Sequence, residues 1–295
     1  MNKQNLWQKI STVLTLTSFS FLHILLPANA QVNNYFENQG NSVSLYVPPP
    51  ERQGQGICAN FLQPTINSIV QQSRFRSGKW AILVRALRTG QTLYALNPNS
   101  YMIPASNMKI LTTTAALQKL DPNISKIRSK SLREWINVTN LRSNNYYADT
   151  LLRYIGGAGS AKQALTQLGV HSNGYRIADG SGLSRRNKVT PTAIVEALTA
   201  ITQTSNSDLF YGSLPVAGVS GTLARRMKWT PAQGNVRGKT GTLRGVRALS
   251  GYVKNNDFGT LVYSIIVNQP NQSGRVLNKG IDDIAVTLSL LKACD

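Results

Sequence analysis

The chain has 295 residues, enough for one large domain or two small ones. Lys and Arg number 32 against 12 Asp and Glu, a formal charge of +20, which favours an anionic partner. Zinc-ligand spacing, an aromatic RNA-binding signature and a dense basic run are all missing, which argues against nucleic acid.

Residues 1–30 read as a secretory signal. Lys3 and Lys9 form a basic start, Ile10 to Leu26 is largely apolar, and Ala28-Asn29-Ala30 fits a small-x-small cleavage pattern. The apolar stretch is short for a membrane span and holds several hydroxyl residues and His23. Export to the periplasm or cell envelope is the expectation, with Gln31 as the mature first residue. In that compartment the positive charge suggests peripheral contact with an anionic wall or with lipid head groups.

Residues 31–56, with Pro48-Pro49-Pro50 at their centre, read as an extended or disordered linker. Phe61 to Gln72 has helical spacing in Leu62, Ile66, Ile69 and Val70. Trp80 to Leu87 and Gln91 to Leu96 are strand-like on either side of Arg88-Thr89-Gly90, which predicts a hairpin. Pro104 opens a helix that runs to Leu120 and is ended by Asp121-Pro122-Asn123. Ser131 to Asn140 and Asn144 to Ile155 are helical, Gly156 to Gly159 is a break, and Ser160 to Leu168 is a short helix. A long polar loop, His171 to Val189, precedes a helix capped by Thr190 with Pro191 in its first turn. Three strands follow at Asn235 to Thr242, Arg247 to Lys254 and Thr260 to Val267, with a turn at Asn255-Asn256-Asp257. Ile281, Ile284, Ala285, Leu288 and Leu291 mark one face of a closing helix. Strands at both ends imply one sheet. The expected organisation is a single domain over 57–295, with a sheet lobe (57–105 and 230–295) and an inserted helical lobe (106–229).

Three clusters carry chemistry. Ser106 lies three residues before Lys109 on the predicted helix, so the two share a face and the amine reaches the hydroxyl. Free N–H groups of the first turn favour the negative charge that a serine nucleophile develops. The mature chain holds one histidine, His171, in a Gly/Asn-rich loop where an exposed position is expected. Lysine is therefore the natural base, once burial beside cations such as Lys239 lowers its pKa. The other clusters are Ser143-Asn144-Asn145 between helices and Lys239-Thr240-Gly241 on a strand.

In this order the three clusters resemble the penicillin-binding protein and serine β-lactamase superfamily. Longer stretches narrow the resemblance. Ser143 to Arg153, Asp179-Gly180-Ser181-Gly182-Leu183-Ser184 and Gly238 to Leu243 are similar to the D-alanyl-D-alanine carboxypeptidase/endopeptidase family, peptidase family S13, of the penicillin-binding protein 4 type. It implies an α/β fold of the α+β type: a β-lactamase/transpeptidase-like antiparallel sheet flanked by helices, with an inserted helical lobe. It also implies a serine-type D-Ala-D-Ala carboxypeptidase, a hydrolase of peptidoglycan stem peptides that β-lactams inhibit covalently, with endopeptidase action on cross-links as a second expectation. Ser106 would be the nucleophile, Lys109 its base and Ser143 a proton relay. The N–H groups of Ser106 and Thr242 would form the oxyanion hole. Lys239, Thr240, Gly241 and Thr242 would hold the substrate carboxylate, Asn145 a substrate amide, and Asp179 and Ser181, on a loop beside the site, would also bind substrate. No metal or cofactor is implied.

Two departures stand out. The family usually carries a large insertion between its first two motifs, whereas only residues 110–142 separate Lys109 from Ser143 here. Asn144 stands where Asp is more usual. Two alternative functions are a β-lactamase and a non-catalytic wall-binding protein that keeps the fold. The glutamates Glu37, Glu51, Glu134 and Glu196 lack the setting of the class A deacylation loop, which predicts slow release of a penicilloyl adduct. Cys58 and Cys294 bracket the domain. In an oxidising compartment they are candidates for a disulfide joining its ends, the alternative being two buried thiols.

Overall fold

The computed structural model describes residues 56–294. The expected signal segment and almost all of the expected linker lie outside the described residues.

The first part of the chain forms β1 (Ile57–Cys58), α1 (Ala59–Val70), β2 (Lys79–Ala86) and β3 (Thr92–Leu96). A 3-10 turn (Ala105–Asn107) leads into α2 (Met108–Lys119), the short ladder of β4 (Lys126–Ile127) with β5 (Lys130–Ser131), and helices α3 (Leu132–Leu141), α4 (Asn145–Tyr154) and α5 (Gly157–Gln167). Then come β6 (Tyr175–Arg176), β7 (Lys188–Val189), α6 (Pro191–Ile201) and α7 (Ser207–Ser213). The chain closes with β8 (Val236–Leu243), β9 (Val246–Asn255), β10 (Gly259–Asn268), α8 (Gly274–Ser289) and β11 (Leu291–Lys292).

The main sheet has the order β3-β2-β10-β9-β8, and every neighbouring pair is antiparallel. Side chains alternate across a strand, so a sheet with two buried faces needs apolar residues at nearly every position. β2 supplies them. Trp80, Ile82 and Val84 join one cluster with α1 and α8, while Ala81 and Leu83 join the other, with α2 and α6. The sheet is thus the middle of three layers. α8 buries Ile281, Ile284, Ala285 and Leu288 on one stripe.

Side-chain caps mark half of the helix starts. Ser131, Asn144, Thr190 and Ser273 each accept a hydrogen bond from a backbone N–H three residues on. Four features differ from the sequence expectation. The break at Gly156–Gly159 shrinks to one turn, because Gly156 and Gly157 take positive φ (96° and 80°) and α5 starts at once. Leu291 lies beyond α8 in β11, which pairs with β1 in parallel. α7 is a helix where none is expected. Residues 217–229, expected in the helical lobe, send Ala217, Leu223 and Met227 into the cluster shared with α1 and α8.

Cys58 and Cys294 are joined by a disulfide, with Cα atoms 5.2 Å apart. It lies beside the β1–β11 pair, so both ends of the described chain meet at one place.

Candidate active site

Ser106 sits in the 3-10 turn that precedes α2, rather than within the regular helix. Ala105 before it takes φ 48°, a left-handed conformation that costs a residue with a Cβ on the order of 1 kcal/mol or more. Neighbouring glycines hold the turn in place. A Cβ on Gly182 would lie 1.8 Å from the Ala105 carbonyl oxygen, and one on Gly241 would lie 2.5 Å from that of Pro104. A loop and strand β8 can both press on the Ser106 turn only because each carries glycine there. Asn107 fixes the turn from below: its Nδ2 donates to Ser250 Oγ at 2.6 Å, and Ser250 Oγ donates to Ser264 Oγ at 2.9 Å, across β9 and β10.

Lys109 is fully buried. Its Nζ lies 2.7 Å from Asn145 Oδ1, 2.6 Å from the Ser181 carbonyl and 3.0 Å from Ser106 Oγ. These are three directions for a tetrahedral nitrogen. When the amine is neutral, its two N–H groups serve Asn145 and Ser181, and the lone pair is left for the Ser106 hydroxyl. Burial pushes its pKa down to about 8, against the opposing pull of the Asp149 and Asp179 charges. The neutral form is therefore well populated near pH 8.

Ser143 occupies the corner between α3 and α4 with φ 56°, and its Oγ accepts from Lys239 Nζ at 2.7 Å. Asn144 caps α4 by accepting from Tyr147 N at 3.0 Å. Asn and Asp cap about equally well, so Asn at this position keeps the corner. Asn145 then starts α4 with its amide turned to Lys109.

Lys239 is fully buried on edge strand β8, where it also donates to the Thr240 carbonyl at 3.0 Å. No ion pair among the described residues involves it. Burial, with the Lys109 charge second, holds its ammonium well below the lysine range. Gly238 N donates to Pro215 O on the side of β8 away from β9, at 2.9 Å. By the two-residue period, the N–H groups of Thr240 and Thr242 face that same outer edge. Beyond Gly238 the edge is open and carries an exposed Thr242.

Thr222 completes this wall. Its hydroxyl lies 2.7 Å from that of Thr240, and Gly221 brings it there: a Cβ on Gly221, at φ 56°, would lie 2.6 Å from the Leu141 carbonyl at the end of α3.

Asp179 and Ser181 do not reach the cleft as free side chains. Asp179 accepts from Gly182 N (2.6 Å), Ser184 N (2.7 Å), Asn187 Nδ2 (2.8 Å) and Ser181 Oγ (3.3 Å). Burial alone would raise its pKa, but these donors, led by Asn187, outweigh it and hold the carboxyl below its usual range. The loop's contribution to the site is the Ser181 carbonyl. Asp149 anchors that peptide, accepting from Ser181 N at 2.8 Å. His171 stands apart, with an exposed ring bound to Glu196 at 2.7 Å.

The structure therefore brings together Ser106, Lys109, Ser143, Asn145, Lys239, Thr240, Gly241 and the Ser181 backbone. Asn107, Asp149, Asn187 and Thr222 are additions. Asp149 was accessible in principle, since it lies four residues after Asn145 on one helix face. Thr222 had no local signal.

A three-layer fold with a Ser-Lys cleft at its sheet edge defines the transpeptidase-like class. The structure resembles that of penicillin binding protein 4 from Haemophilus influenzae, with TM-score 0.66 and 14% identity, covering 76% of this chain and 98% of that one. It also resembles the TLA-1 extended-spectrum β-lactamase, with TM-score 0.64 and 20% identity, covering 78% of this chain and 97% of that one. Within this class, the chain belongs to the D-Ala-D-Ala carboxypeptidase 3 (S13) family, whose sequence profile matches residues 62–126 and 123–289. A relative, the D-alanyl-D-alanine carboxypeptidase of Actinomadura sp. (strain R39), is 42% identical over 163 residues, which are 50% of this chain and 30% of that protein. The chain spans less than half the length of the curated relatives it matches.

Proposed function

We propose that this protein is an exported serine-type D-Ala-D-Ala carboxypeptidase of peptidoglycan stem peptides, with endopeptidase action on cross-links by the same site. The Ser106–Lys109 pair beside an unpaired, buried Lys239 carries this reading. A terminal carboxylate from the substrate supplies the missing partner of Lys239, with Thr240 and Thr242 beside it. That places the last peptide bond over Ser106. Neutral Lys109 takes the Ser106 proton as Oγ attacks the carbonyl carbon. The N–H groups of Ser106 and Thr242 receive the oxyanion. The C–N bond breaks, the proton taken by Lys109 passes through Ser143 to the departing amine, and D-alanine leaves. Water then adds to the ester, Ser106 leaves with its proton restored, and the shortened peptide is released.

The carboxylates near the site favour a peptidase over a β-lactamase. Asp179 is engaged by four donors, so it is not free to activate water on a penicilloyl ester, and Asp149 gives one of its oxygens to the Ser181 N–H. A penicillin leaving group stays tethered and blocks the approach that a departed D-alanine opens. The Haemophilus influenzae neighbour is also described in complex with a β-lactam.

The test combines two assays on the purified chain. Free D-alanine should appear from a peptide ending in D-Ala-D-Ala, and intact mass should show a penicillin adduct that persists for many minutes and is missing in Ser106→Ala. Rapid penicillin turnover without an adduct would favour the β-lactamase reading. Neither D-alanine nor an adduct would leave a non-catalytic wall-binding protein.

A further inference from the structure

A second concave surface lies outside the catalytic cleft. A cavity of about 620 Å³ is bounded by α5, the 3-10 turn at Ser172–Gly174 and the β6–β7 ladder. Its walls carry Lys162, Arg176 and Lys188, and the rings of Tyr101 and Tyr175. A groove of about 550 Å³ continues from it, shares Arg176 and Lys188, and adds Arg185 and Arg186. No Asp or Glu lines either one. None of the five cations takes part in an ion pair among the described residues. The carboxylates nearby are occupied, Asp179 by its own loop and Glu196 by His171. The groove also leads towards the catalytic edge, since Arg185 donates to the carbonyl of Arg244, two residues past Thr242.

Five like charges along one concavity repel one another and lower stability unless something offsets them. A single stem-peptide carboxylate is too little, and Lys239 already serves the terminal one. A bilayer is flat and cannot enter a cleft. A thin chain with a charge on each unit fits both the shape and the count. We propose that this cleft binds a linear polyanion, a non-nucleic polymer bearing carboxylates or phosphates on successive units, and so holds the protein beside its substrate. Export makes an envelope polymer the natural source.

Binding of the purified full chain to fluorescent polygalacturonate and to linear polyphosphate separates carboxylate from phosphate sources. At least one should bind, with affinity falling steeply as salt rises. The triple variant Lys162→Gln/Arg176→Gln/Lys188→Gln should bind at least tenfold more weakly with a shallower salt dependence. Its melting temperature should be no lower than that of wild type, since like-charge repulsion is relieved, its rate of penicillin labelling should match wild type, and the binding readout stands whether or not the catalytic reading holds. Arg76→Gln/Arg88→Gln/Lys254→Gln removes equal charge from exposed positions outside the cleft. Equal losses in the two triple variants would overturn the site in favour of diffuse net charge. Failure of both polymers to bind at physiological salt would also overturn it. So would tighter binding of a single-stranded oligonucleotide that the cleft variant abolishes.

Discussion

Lys109 and Lys239 are the same residue type, both fully buried and both stripped of water, yet their surroundings prepare them for different work. Lys109 has acceptors in all three of its directions and two carboxylates within electrostatic range. Lys239 has two acceptors, Ser143 and Thr240, and the charge that acts on it is another lysine. Burial disfavours the ammonium at both sites. At Lys109, Asp149 and Asp179 oppose it, leaving a pKa of about 8, which suits a base that gains and loses a proton in each cycle. At Lys239 nothing opposes it until an anion arrives. On the proposed reading, what lies within a few ångströms makes a base of one lysine and an anion receptor of the other.

The most severe way to break this comparison is to remove the base. Lys109→Ala should lower the rate of penicillin acylation by a factor on the order of 10⁴ or more, and Ser106→Ala should abolish it. Stopped-flow or mass-resolved labelling gives the number, and a loss of less than about tenfold in Lys109→Ala would take the base role from it. Lys239→Ala should cost roughly 10- to 100-fold on a peptide with a free terminal carboxylate, the loss of one charge-assisted contact. A capped peptide amide should be nearly indifferent to the change, and equal losses on both would mean that Lys239 does not read the carboxylate. Thr222→Val removes a hydroxyl that steadies Thr240 and should cost about fivefold on the free-carboxylate peptide. Wild-type kinetics in this variant would make Thr222 a bystander.

The finest test concerns pH. Acylation needs neutral Lys109, so its rate should rise with pH through a midpoint near 8. Asp149→Asn keeps an oxygen for the Ser181 N–H but removes a negative charge that favours the ammonium. The midpoint should therefore move to lower pH, with the plateau little changed. A shift to higher pH, or none, would show that Asp149 acts on Lys109 only through the Ser181 peptide.

How much of this was legible in the sequence follows the range of the interactions. Lys109 opposite Ser106, and Asn145 with Ser143, are local spacings that can be read directly. Strands β2, β9 and β10 announce themselves by apolar content because both of their faces are covered, whereas β8 is largely polar and glycine-rich and is marked by Lys239-Thr240-Gly241 instead. Thr222 could not be read, because it enters the site only through Gly221 packing on Leu141, a contact between distant segments. The close approach of Gly182 to the Ala105 carbonyl is likewise a contact between distant segments. The sequence places Asp179 among the substrate-binding residues, although its oxygens are engaged within its own loop and only the Ser181 carbonyl faces Lys109. α7 was missed because seven residues carry too little periodicity to register.

The meeting of the two chain ends has a consequence for topology. With Cys58 bonded to Cys294 across a sequence separation of 236 residues, the described polypeptide is a covalent ring pinned beside β1 and β11. A ring has no ends from which to fray. One peptide bond cut in an exposed connection, such as that between α2 and β4, does not produce two molecules. It leaves two segments held as one molecule by the Cys58–Cys294 bond, and they separate only if that disulfide is reduced.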